Sequence, residues 1–291
     1  MAEPVLLTGA TGFVGRAVLA DLVAQGVPVH AVSRQPGPGQ PGVTWHRADL
    51  LNPADRANLT TSCQAGRLIH CAWQVEHGAF WTSPANALWR AASSDLIEGF
   101  LTQGGGRVLA VGTCAEYDAA DKGPWNEERR VAPATPYGAA KAGLHADLAE
   151  LCGNRLVWAR LFHLYGPGED PRRFIPAVAK ALRAGQPAEV RAADLVRDYA
   201  STAHVARCLA ALLDSAVCGA VDVGSGQPRS LGALARIVAR SVAGEGYLRL
   251  THRPTPDDPP RMEPELVRLF GATGLDREQP ETSLARYAGD F

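Results

Sequence analysis

Tyr137 and Lys141, in the stretch Tyr137-Gly138-Ala139-Ala140-Lys141, are spaced so that one face of a helix carries both. A tyrosine hydroxyl, with a pKa of about 10, is a poor base at neutral pH. A neighbouring ammonium favours the phenolate, and the hydroxyl then becomes a usable proton donor and acceptor. By itself the Y-x-x-x-K spacing is common on helix surfaces. A third group sharpens it: Thr113, in Val111-Gly112-Thr113-Cys114-Ala115-Glu116-Tyr117, ends a β-rich run. Its hydroxyl is placed to hold the substrate oxygen that Tyr137 protonates or deprotonates.

A second cluster lies near the N-terminus. Thr8-Gly9-Ala10-Thr11-Gly12-Phe13-Val14-Gly15 spaces its glycines G-x-x-G-x-x-G between an expected strand and an expected helix. Gly9 permits a tight turn, Gly12 lets a pyrophosphate approach the backbone, and Gly15 allows close helix–strand packing. The amides from Thr11 through Phe13 and Val14 then face the phosphates at the helix start. A dinucleotide fold reads the adenosine ribose where its second strand ends: a carboxylate there marks NAD, and an arginine accommodates the 2′-phosphate of NADP. Here the strand ends in Ser33-Arg34, which favours NADP(H) and leaves NAD(H) open. Asp49, followed by Leu50, is positioned for the adenine amine or for a helix N-cap. Cys71 and Ala72, at the end of a later strand, complete the expected cofactor set. Lys141 is also placed to bond the nicotinamide ribose.

These groups need a scaffold that gathers strand ends, and the first 160 residues show its rhythm. Short strands are expected at Pro4 to Thr8, Pro28 to Ser33, Arg67 to Cys71, Arg107 to Gly112 and Arg155 to Ala159, with helices at Phe13 to Gln25 and Pro136 to Cys152. The alternation predicts an α/β fold of Rossmann type, a doubly wound parallel sheet over residues 1–165. After Gly166 prolines multiply and shorter elements follow, such as Phe174 to Ala184, Ala220 to Val223 and Leu231 to Ala243. Residues 166–291 are therefore expected to form a smaller α/β substrate domain, with some interleaving of the chain.

Bulk properties exclude several classes. Among 291 residues, 46% are hydrophobic and 20% charged, with a net charge of −1 and no basic run, so nothing marks a nucleic-acid or membrane surface. No apolar stretch of about 18 residues and no cleavable leader pattern appear, and the expected location is the cytoplasm. The six cysteines include no C-x-x-C pair and read as thiols. The eight histidines show no ligand spacing, so no metal is expected.

The motifs TGATGFVG, VGTCAEYD and PYGAAK, with RLFHLYGPGEDPRRFIP, VRDYAS and DVGSGQPRSL, resemble the extended short-chain dehydrogenases, of the NAD-dependent epimerase/dehydratase type, that modify nucleotide-diphosphate sugars. The resemblance runs in family order from residue 4 to about 240. It implies that Thr113, Tyr137 and Lys141 form the catalytic triad and that hydride passes between a nicotinamide and a sugar carbon, usually C4. It implies further that Phe174 and Ile175 pack near the nucleotide base, and that Arg197 and Arg253 neutralise the diphosphate, for which arginine offers bidentate forks. Trp73 opens the active-site loop, which also carries Phe80 and Trp81; Trp89 follows it. These aromatics suit sugar stacking, core packing or a dimer interface. A homodimer is implied through the helices near 84–103 and 136–152. Two departures stand out: His163, expected in the substrate site, replaces a frequent asparagine and His204 a usual aspartate, and each either retunes the substrate pocket or serves as a structural histidine. The 4,6-dehydratases follow the triad threonine with Asp-Glu; here Cys114-Ala115 follow and Glu116 comes one place late, which disfavours dehydration. The leading reading is a nucleotide-sugar 4-ketoreductase using NADPH. A 4-epimerase recycling NAD is the alternative, and a non-catalytic dinucleotide-sensing module a remote third.

Overall fold

The buried runs of the first half become strands with almost no exposed side chain. β1 (Val5–Thr8), β2 (Val29–Ser33), β3 (Val43–Arg47), β4 (Arg67–His70), β5 (Arg107–Thr113) and β6 (Leu156–Leu161) are joined by a further strand, Gly219–Val223, in one parallel sheet. Its order is β3-β2-β1-β4-β5-β6 and then Gly219–Val223. The order reverses beside β1, between β2 and β4, and a ligand crevice opens at the strand ends there. The computed structural model describes residues 3–35, 37–252 and 258–291.

Helices cover both faces, as a parallel sheet requires. On one face α1 (Gly15–Ala24) packs with α6 (Thr202–Asp214) and α8 (Val267–Thr273), through Val18, Leu22, Val205, Leu209 and Leu269. On the other, α2 (Pro53–Ser62), α3 (Ala85–Thr102) and α4 (Pro136–Cys152) contribute Leu59, Leu96, Ile97, Leu144 and Leu148. Thr135 caps α4 by accepting from the Gly138 amide, with Pro136 at the first helical position. Several boundaries shift by one or two residues from the sequence expectation, and two of the shifts have a plain cause. α1 starts at Gly15 rather than Phe13, because the preceding residues form the glycine turn. β6 runs on to Leu161 because its Arg160 is buried in an ion pair, which a reading by hydrophobicity does not expect of a central strand.

Beyond residue 165 the chain serves two cores. α6, Gly219–Val223 and α8 return to the large sheet. A separate cluster is built from α5 (Phe174–Arg183), α7 (Leu231–Ser241) and α9 (Pro280–Gly289), with Ile175, Leu182, Leu234, Val238 and Leu284 fully or nearly buried. Short strand pairs connect the two. His163–Tyr165 pairs with Tyr199–Ser201, and Val196–Arg197 lies between Arg229–Ser230 and Arg261–Met262. Among the described residues no helix is long and apolar enough to cross a membrane.

Candidate active site

The glycine turn has the shape a dinucleotide needs. Gly9 sits at φ +68°, and a Cβ there would lie 2.8 Å from the Ala72 amide nitrogen and 2.9 Å from the Cys71 carbonyl carbon, so only glycine fits against the end of β4. A Cβ on Gly15 would overlap the Gly9 carbonyl. α1 opens at Val14 with no side-chain cap and no acidic residue in its first turn. Among the described residues no backbone acceptor takes the amides of Phe13 and Val14. Free N–H groups at a helix start, with glycines that let phosphate approach, fit a pyrophosphate. Arg16, which the sequence reading passed over, donates to the carbonyls of Thr11 (3.0 Å) and Gly12 (3.2 Å), setting a guanidinium beside the turn. Its signal was its place directly after the third glycine.

At the adenosine side, Ser33 is buried and its hydroxyl donates to the Gln35 carbonyl. Arg34 is exposed and has no side-chain hydrogen bond or ion pair among the described residues. Asp49 is exposed and accepts from the Leu51 amide at 3.0 Å. The N-cap of α2 is Asn52, not Asp49. Leu50 turns its side chain into the core and gives its carbonyl to Arg56 at 2.7 Å, so it offers no side chain to a ligand. Cys71 and Ala72 lie against Gly9, and burial pushes the Cys71 thiol up to about 12.

The three expected catalytic side chains converge at the end of β5. Thr113 faces the Tyr137 hydroxyl closely enough to favour its phenolate, and Lys141 lies one turn further along α4. Gly138 makes this approach possible, because a Cβ there would overlap the Ala115 carbonyl. Burial raises the Tyr137 hydroxyl above its ordinary value, against the lowering by Thr113, so it rests protonated. Burial pushes Lys141 down to about 8, with the Glu116 carboxylate opposing. The Lys141 ammonium donates to the Val111 carbonyl at 2.7 Å and lies 3.9 Å from the Trp73 ring centroid.

Trp73, Phe80 and Trp81 all meet Tyr137 edge-on, with ring centroids 6.4, 4.8 and 5.6 Å away. The Trp73 indole N–H is fixed by Asn86 at 2.9 Å, and the Tyr137 amide donates to the Trp81 carbonyl at 3.1 Å. Trp89 stacks at a tilt behind Trp73, 6.2 Å away. The aromatic loop therefore packs around the ring of the tyrosine.

Beneath Thr113 lies a buried polar network that the sequence reading did not foresee. Thr113 and Glu116 form a capping box around the short 3-10 turn Cys114–Glu116, with the Thr113 amide donating to Glu116 at 2.8 Å. The Glu116 carboxylate also accepts from Arg160 Nε at 2.8 Å and from the Trp158 indole at 3.0 Å. Arg160 continues to the Tyr117 hydroxyl at 3.1 Å, which donates to Asp222 at 2.7 Å. Burial pushes the Asp222 carboxyl up to about 7. Glu116 is thus a positioning residue for Thr113, and none of its oxygens is left for acid–base work on a ligand. Its signal was the T-x-x-E spacing of a capping box.

Near the second core, His163 and Phe174 flank Tyr199. The His163 and Phe174 rings lie 5.0 and 6.0 Å from it. His163 Nδ1 is sealed from solvent and without a partner among the described residues, and burial followed by the Arg197 and Arg173 charges pushes its pKa down to about 3. Ile175 is a correction: its side chain is wholly buried in the second core, so only Phe174 of that pair keeps an accessible ring. His204 is also structural, enclosed in α6 with Nε2 3.4 Å from Cys208 Sγ. Arg253 lies outside the described residues. Arg197 is 4% exposed, its Nη2 donating to Asp258 at 2.5 Å and its Nη1 to the Val196 carbonyl at 2.7 Å. Arg197→Ala should weaken nucleotide-sugar binding about 10- to 150-fold, the worth of a charged hydrogen bond. Titration calorimetry checks this, and dinucleotide affinity should stay within about twofold.

Comparison with known proteins agrees with this geometry. Residues 5–224 match the model of the NAD dependent epimerase/dehydratase family. A dTDP-glucose 4,6-dehydratase of Actinoplanes sp. is 26% identical over 246 residues, 76% of each chain. A dTDP-6-deoxy-L-talose 4-dehydrogenase (NAD(P)(+)) of Kitasatospora kifunensis is 28% identical over 240 residues, 76% of this chain and 74% of that one. A UDP-glucose 4-epimerase of Thermotoga maritima, solved with UDP-glucose, superposes with a TM-score of 0.83 at 18% identity, covering 98% of this chain and 97% of that one. With the family match spanning the glycine turn, the triad and the return to the sheet, the chain belongs to the NAD dependent epimerase/dehydratase family of enzymes.

Proposed function

We propose that the protein is a 4-ketoreductase of nucleotide-activated deoxysugars that prefers NADPH. A bound nicotinamide supplies the hydride for the ketone carbon. Tyr137 gives its proton to the oxygen that becomes the alcohol, and Thr113 holds the same oxygen by a hydrogen bond. Lys141, charged below about pH 8, stabilises the phenolate that Tyr137 leaves behind. The substrate's diphosphate falls to Arg197, with Arg253 as a second cation, and its base to the neighbourhood of Phe174. Trp73, Phe80 and Trp81 offer apolar faces to the sugar. The talose 4-dehydrogenase relative supports redox chemistry at C4. Dehydration is disfavoured because Glu116 is spent on Arg160, Trp158 and Thr113.

The observation that carries the choice of reductase over epimerase is the end of β2. Ser33 presents no carboxylate to repel a 2′-phosphate, and the Arg34 guanidinium is exposed and unengaged among the described residues. Arg34→Asp should therefore cut kcat/KM for NADPH about five- to tenfold, as befits an exposed charge contact, and leave NADH use nearly unchanged. Equal loss with both cofactors would place the 2′-phosphate elsewhere. We also propose a homodimer through α3 and α4, on which Leu88 is 62% exposed.

A further inference from the structure

We propose that His30, His46 and Cys63 form a zinc site at the outer edge of the large sheet, apart from the site of chemistry. His30 lies on β2 and His46 on β3, with His46 paired opposite Val32. Val32 packs in the same core cluster as Cys63 and Leu59, so the two imidazoles look toward α2, where Cys63 is the C-cap. The donor atoms of all three residues lie within 4.8 Å of one another. His30 Nδ1 and His46 Nε2 are 2.8 Å apart, their ring centroids 5.1 Å apart.

Two imidazole nitrogens and a thiolate are a donor set that suits Zn²⁺. Zinc bonds of about 2.0–2.3 Å set tetrahedral donors roughly 3.3–3.7 Å apart, so small side-chain rotations bring this set to bonding distance. Burial lowers the pKa of both histidines, which keeps their lone pairs free of protons at neutral pH. Binding breaks the bond between the rings. His30 then carries its proton on Nε2, His46 carries its proton on Nδ1, and Cys63 loses its thiol proton to solvent. The half-buried histidines leave a fourth position for water. No spacing marks the set, because the three residues stand 16 and 17 positions apart and only the pairing of β2 with β3 and the packing of α2 bring them together. β3 pairs with β2 alone, so the metal would pin the sheet's free edge to the end of α2. Ser33 and Asp49 each follow a ligand by three residues, roughly 10 Å along the strand.

The test uses the full chain after chelator treatment and dialysis. Zn²⁺ should bind at one equivalent and raise the melting temperature by about 5 °C at a hundredfold excess over Kd. Co²⁺ in its place should give a thiolate-to-cobalt charge-transfer band together with tetrahedral d–d absorption. His46→Ala and Cys63→Ala should each abolish the stoichiometric binding while ketone reduction continues. The wild-type cobalt spectrum decides the matter even where a variant folds poorly. Absence of the thiolate band, no stoichiometric Zn²⁺, or unchanged binding in either folded variant would overturn the assignment and leave a plain hydrogen bond between the histidines.

Discussion

Replacing Tyr137 by phenylalanine should lower turnover by about 10²- to 10⁴-fold, the usual worth of a positioned acid–base group. The phenylalanine keeps the ring that Trp73, Phe80 and Trp81 meet edge-on, so packing and the path of α4 survive the change. What disappears is one hydroxyl, beside Thr113 and kept protonated by burial. Because that hydroxyl contributes little to holding the dinucleotide, cofactor affinity should stay within a factor of about two. Steady-state kinetics with a fluorescence titration of the cofactor separates the two quantities. Retention of more than about a tenth of the activity would mean that another group delivers the proton.

A larger effect on stability is expected at Arg160. Its side chain is 2% exposed and its partner Glu116 is not exposed at all, so Arg160→Leu leaves a carboxylate buried without its cation. Removing one member of a buried pair costs about 3–5 kcal/mol, far more than the pair itself contributes. Glu116 can escape only by taking up a proton or by drawing the 3-10 turn out of place, and the turn carries Thr113. Urea denaturation should show the loss in the midpoint at unchanged slope. The double variant Glu116→Gln with Arg160→Leu removes both charges and should recover much of the stability, with the indole of Trp158 still able to donate to the amide oxygen. If the single variant is as stable as the parent, Thr113 is not held by this network.

How much of this was legible in the sequence follows from the range of each interaction. The glycine turn and the first strands are local patterns, and the structure has each within about two residues of expectation. The triad is legible for a different reason: Tyr137 and Lys141 share a helix turn, and Thr113 ends a buried strand beside it. Gly138 was visible only as a spacer, although the meeting of α4 with Ala115 depends on it. The Glu116–Arg160–Tyr117–Asp222 chain joins residues up to 105 positions apart, and a one-dimensional pattern cannot pair them. Glu116 reads in sequence only as a carboxylate one place late for a dehydratase, because its partner arginine sits on a strand that reads as apolar. Ile175 and Leu50 were placed at ligands by their position in motifs, but motif position does not say which way a side chain turns. Arg197 pairs with Asp258, 61 positions away, a partner no local pattern could supply.

The central claim is net reduction of a ketone, and one measurement addresses it. Protein purified without added cofactor is mixed with NADPH and a 4-keto-6-deoxy nucleotide-sugar, and absorbance at the reduced nicotinamide band is followed while products are resolved by chromatography. One NADPH should be lost for each 4-hydroxy sugar formed, with no reaction when either partner is omitted and slower use of NADH. Protein that retains NAD through purification and interconverts two C4 epimers, with no net change in reduced nicotinamide, would contradict it.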